Sequence, residues 1–90
     1  MDDGKLRGEQ DRGEKAKAIL RNPIMVEAFE ELGSRYIETW KATSIEQESQ
    51  REKIFQMYQA LLAVQGHLEE IVSTGELAKI ELNSNSLWRR

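Results

Sequence analysis

The sequence predicts an all-α fold. Its plan is a long antiparallel helical hairpin with one arm broken at Asn22-Pro23, a short C-terminal helix, and association into an oligomer. Three observations predict it. Ile54, Met57, Leu61, Val64, Leu68 and Ile71 alternate spacings of three and four, the seam of a helix packed on a helix as in a coiled coil. Asn22-Pro23 can end one helix and start another, because proline disfavours helical geometry in the residue before it yet suits a first turn. The break at Thr43-Ser44 is short, which makes the helices on its two sides antiparallel neighbours.

Taken in order, residues 1–13 hold Gly4, Gly8 and Gly13 in a dense mixture of charges, with Leu6 as the one apolar side chain after Met1. Such a segment buries too little surface to offset its ordering entropy, so a disordered arm is expected. The helical domain is expected over residues 14–82. It begins with a short helix from Glu14 to Arg21 and continues, capped by Asn22, from Pro23 to about Ala42. On that second helix Met25, Phe29, Leu32 and Tyr36 form one apolar row, and Val26, Gly33, Ile37 and Trp40 form another. Gly33 costs about 1 kcal/mol against alanine in mid-helix, and close approach of another backbone there would explain it.

Thr43 with Glu46, or Ser44 with Gln47, can build a capping box for the long helix, expected from about Glu46 to Ser73. If the turn centres near Ser44-Ile45, facing residues carry numbers summing to about 90: Tyr36 meets Ile54, and Leu32 meets Met57 or Tyr58. Gly75 reads as the stop after this helix. A last short helix follows from Glu76 to Leu82, and residues 83–90 form a flexible tail.

Composition narrows the function. Ninety residues make one domain, with 13 basic and 16 acidic side chains and a formal charge of −3. That mild acidity, with no basic stripe and no basic recognition helix, argues against nucleic acid as a partner. There is no cysteine, so neither a disulfide nor thiolate-bound zinc is available. No apolar run approaches the roughly 20 residues of a membrane span. No apolar segment follows Met1, so a secretory signal is not expected and a cytoplasmic location is.

The residues of chemistry are sparse. His67 is the single histidine, and Val64 stands where a carboxylate-bridged di-iron site needs glutamate. Ser44, Ser73, Ser84 and Ser86 sit in expected caps and linkers, away from any base. No glycine-rich phosphate loop is present. The reading is therefore no enzyme, no catalytic residue, no metal and no cofactor. What remains is apolar surface. Trp40, Phe55, Tyr58 and Leu62 exceed what one partner helix can cover, and they are the expected self-association interface. Leu87, Trp88, Arg89 and Arg90 form an expected docking tail for another protein, with tryptophan as anchor and arginines at the rim.

The run Asn22-Pro23-Ile24-Met25-Val26-Glu27-Ala28-Phe29, with Tyr36-Ile37-Glu38-Thr39-Trp40 and Gly66-His67-Leu68-Glu69, resembles small helical proteins of tailed-phage gene clusters near the head and packaging genes. The resemblance covers roughly residues 14–82 and leaves out the N-terminal arm and the Leu-Trp-Arg-Arg end. It implies a virion-associated or assembly-accessory role, in the host cytoplasm or the virion. The expected function is thus a non-enzymatic, self-associating, protein-binding protein. The alternatives are a phage inhibitor or sponge of a host defence factor and a DNA-associated packaging ring.

Overall fold

Asn22 divides the first two helices. In the computed structural model, which describes residues 2–88 and their side chains as far as Asn85, helix α1 spans Asp3–Arg21 and α2 spans Pro23–Lys41. Asn22 is extended (φ −63°, ψ 123°), and its Oδ1 accepts from the backbone N–H of Ile24 at 2.9 Å and of Met25 at 3.2 Å. These are two of the donors that a helix start leaves without partners. Pro23 occupies the first turn, where its missing N–H costs nothing.

Helix α2 closes at Ala42, whose N–H returns to carbonyls of the last turn. The Thr43 hydroxyl donates to the Trp40 carbonyl at 2.6 Å. Ser44–Gln47 is a turn, with the Gln47 N–H donating to the Ser44 carbonyl at 3.1 Å. The Ser44 N–H in turn donates to Gln47 Oε1 at 2.8 Å, the reciprocal half of the expected capping box. The box closes the turn, and α3 starts just after it, at Glu48.

Helix α3 then runs unbroken over Glu48–Trp88. Three expectations change as a result. Residues 1–13 are not a disordered arm, since Asp3–Gly13 is the first half of α1 and Leu6 is only 3% exposed. Gly75 is not a stop, because α3 continues through it without a positive φ. The polar run Asn83–Ser86 is helical as well, so no separate short helix and no tail begin before Trp88. The side chains of Leu87 and Trp88, and all of Arg89 and Arg90, lie outside the described residues.

The chain divides into two units: Met1–Arg21 with His67–Arg90, and Asn22–Gly66. In the first, α1 packs on α3 through small residues. The buried positions are Leu6, Gly13 and Ala16 on α1 and Gly75 and Ala78 on α3. A Cβ built on Gly13 would stand 2.8 Å from the Gly75 Cα, and one built on Gly75 would stand 2.8 Å from the Gly13 Cα. No side chain fits between these two backbones. The mid-helix penalty of each glycine, about 1 kcal/mol, is offset by the contact it permits.

In Asn22–Gly66 no residue is fully buried. On α3 the half-buried positions are Ile54, Tyr58, Leu61 and Gln65, with Arg51 and Gly66 beside them; on α2 they are Ala28, Phe29, Gly33 and Tyr36. This corrects the expected seam. Ile54 and Leu61 belong to it, but Met57 and Val64 are 50% and 56% exposed, and their places are taken by Tyr58 and Gln65. Either set satisfies alternation by three and four; the partner surface selects between them. Gly33 is no close backbone approach either. A Cβ there would meet Leu61 Cδ2 and Tyr58 Cε1 at 3.8 Å each, an ordinary contact.

Candidate functional site

Among the described side chains every phenylalanine, tyrosine and tryptophan lies in the second unit. Trp40 comes from the last turn of α2, and Phe55 and Tyr58 from the first turns of α3. With Tyr36, Ile37 and Ile54 they line an open groove of about 280 Å³, which Gln59 bounds on its polar side. Three of the four expected interface residues therefore meet in one place. Leu62 is seven residues after Phe55, on the same row of α3, and it too is exposed.

The four are not equivalent. Tyr58 is half-buried, with its ring edge close to Gly33, so it forms part of the floor. Trp40, Phe55 and Leu62 stand 42%, 51% and 41% exposed and form the open surface. Trp40 is held from one side by Arg51, whose guanidinium carbon lies 4.3 Å from the ring centroid. Arg51 Nη1 also donates to the Thr43 hydroxyl at 2.8 Å. One arginine thus fixes the tryptophan and ties both to the turn between α2 and α3. Sequence reasoning gave Arg51 no partner. The signal for its role was the register rule, since 40 and 51 sum to 91, close to 90.

The turn also perturbs a carboxylate. The Glu46 carboxylate, fully exposed, is held below the usual carboxylate range, first by its own backbone N–H and then by the Ser44 hydroxyl. This belongs to turn chemistry and to no catalytic pair.

His67 lies in the other unit. It faces Glu70 (Nδ1 to Oε2 3.7 Å) at the edge of a shallow cleft of about 190 Å³ shared with Glu9, Arg12 and Thr74. Among the described residues no group of three or more histidine, aspartate or glutamate side chains is placed to hold a metal ion. Among them, too, no helix is long and apolar enough to cross a membrane. A second cleft, of about 360 Å³, lies beside the glycine contact between Gln10, Lys17, Glu76 and Lys79, where Lys17 Nζ is 4.0 Å from Glu76 Oε1. Its mixed charges solvate the contact. The expected docking tail, Leu87 to Arg90, lies outside what these observations describe.

Comparison with known protein families, with curated proteins and with solved structures finds no match for the chain.

Proposed function

We propose that this chain is a non-enzymatic helical protein that works by associating with copies of itself and, so assembled, with other proteins. One observation carries the reading. Within Asn22–Gly66 no hydrophobic side chain is buried, while Ile37, Trp40, Phe55, Met57, Leu62 and Val64 all stand exposed. Removal of apolar surface from water stabilises by roughly 25 cal/mol per Å², and contiguous apolar patches on small proteins mark contact surfaces. A second copy can supply the missing cover.

The proposal takes α2 and α3 as an antiparallel hairpin. Its support is the order of the contacts: Trp40 with Arg51, Tyr36 beside Ile54, and Gly33 against Tyr58 and Leu61. Partner numbers rise as the α2 numbers fall. The biological setting we propose, accessory work in phage particle assembly within the host cytoplasm or the virion, comes from the sequence resemblance.

Light scattering across a concentration series tests the reading. The expected mass is a multiple of 10.4 kDa that falls on dilution. Leu62→Asp should lower it while leaving the helical circular dichroism of the chain in place. A wild-type chain with the mass of one copy at every concentration would remove the basis of the proposal.

A further inference from the structure

Self-association leaves open which surfaces meet, and the charges around the α2–α3 seam bear on that. Two apolar flanks remain open, one on each side. The first holds Ile37 and Trp40 of α2 with Phe55 and Leu62 of α3. Glu48, Phe55 and Leu62 are spaced by seven and so share a row on α3; Glu30 and Ile37 share the matching row on α2. Glu52 lies one turn before Phe55 on that side. The charges of this flank are thus the carboxylates of Glu30, Glu48 and Glu52. Among the described residues none of them has an ion-pair partner, and Glu52 accepts from the Gln56 amide at 3.3 Å. The neighbouring cations are already engaged: Arg51 lies over Trp40, and Lys41 is 3.5 Å from Glu38.

The second flank holds Met25 and Leu32 of α2, seven apart, and Met57 and Val64 of α3, also seven apart. Lys53, one turn before Met57, is its free charge, with no ion-pair partner among the described residues. Arg35, three residues after Leu32, is paired with Glu31 at 2.6 Å, so the pair adds no net charge to this flank. The α3 row of this flank, Gln50, Lys53, Met57, Ala60 and Val64, contains no carboxylate.

The two flanks are alike in apolar content and opposite in free charge. Two acidic flanks placed face to face would set carboxylate against carboxylate in a drying interface, which is costly. We infer that copies join heterologously, the Phe55 flank of one against the Met57 flank of the next, with Glu52 and its neighbours opposite Lys53. This rests on the self-association reading and adds its geometry. A head-to-tail contact of this kind leaves one flank of each sort open at its ends, so assembly proceeds until a ring closes or a filament grows.

Complementary flank variants test it, with masses read by light scattering and helicity by circular dichroism. Phe55→Asp disables one flank and Met57→Asp the other; each alone should have the mass of one copy, and a 1:1 mixture should give a mass of two. In the charge arm, Glu52→Lys or Lys53→Glu alone should weaken association on the order of fivefold at low salt, and the double variant E52K/K53E should restore it. The wild type should exceed two copies. A wild type that stops sharply at two, a Met57→Asp chain that still pairs with itself, or association strengthened by Glu52→Lys would each overturn the head-to-tail geometry while sparing self-association. A wild-type chain with the mass of one copy would remove both.

Discussion

The two units of this chain use opposite means to pack helices. Where α1 meets α3, the buried positions are glycine, alanine and one leucine; where α2 meets α3, Phe29, Tyr36 and Tyr58 are half-buried and nothing is fully buried. The difference teaches that larger side chains do not make a drier helix contact. Small residues let two backbones close until water is excluded and nearly every atom has a neighbour. Bulky rings hold backbones apart and leave their own far faces wet. The first unit buries its contact, and the second leaves much of its apolar surface exposed.

Leu6→Ala should have the largest effect on this contrast. Leu6 is the one large side chain that is buried among the described residues, and its loss should cost about 2–5 kcal/mol. Met57→Ala, at a 50% exposed position, should cost less than about 0.5 kcal/mol in dilute protein. Urea unfolding followed by circular dichroism measures both, and equal costs would erase the distinction between the units. Next come the glycines of α1. Gly13→Ala should destabilise by about 1–3 kcal/mol, since its new Cβ would stand 2.8 Å from a backbone atom. Gly8→Ala, with nothing within 4 Å, should instead stabilise by up to about 1 kcal/mol. The same substitution five residues apart thus changes sign, and a shared sign would show that helix propensity alone governs both.

Asn22→Ala should cost about 1 kcal/mol by stranding the Ile24 and Met25 amides, read as a lower unfolding midpoint. The smallest effect is at Glu46. Its carboxyl is held below its ordinary range, so its contribution to the turn is fully present above the unfolded-state pKa and is lost as pH falls through the folded one. Glu46→Gln should flatten that part of the pH–stability curve, and an unchanged slope would assign the acid sensitivity to other carboxylates.

The all-helical plan and the break at Asn22-Pro23 were legible because they are written in local chemistry: an amide that caps, a ring that starts a turn. The Ser44–Gln47 turn was legible for the same reason. The first half of α1 and the far half of α3 were not. Glycine signals only a penalty when read along one chain; its benefit exists only across the contact between Gly13 and Gly75. A clue was present. The alternation by three and four that ends at Ile71 continues through Gly75, Ala78 and Leu82, and Leu6 stands seven before Gly13. The groove was half legible: Trp40, Phe55 and Leu62 were identifiable as surplus, but the inward position of Tyr58 depends on which of two equivalent seams α2 selects.

The paired glycines have one more consequence. A Cβ on Gly75 would sit 2.9 Å from the Glu9 carbonyl oxygen, and one on Gly13 would sit 3.2 Å from that of Ile71. The α-hydrogen that stands in place of the methyl at each glycine thus has a carbonyl oxygen of the opposite helix close by. Such an approach suits weak carbon–hydrogen donation in both directions, and the α-proton resonances of these two residues are where its magnetic signature is to be sought.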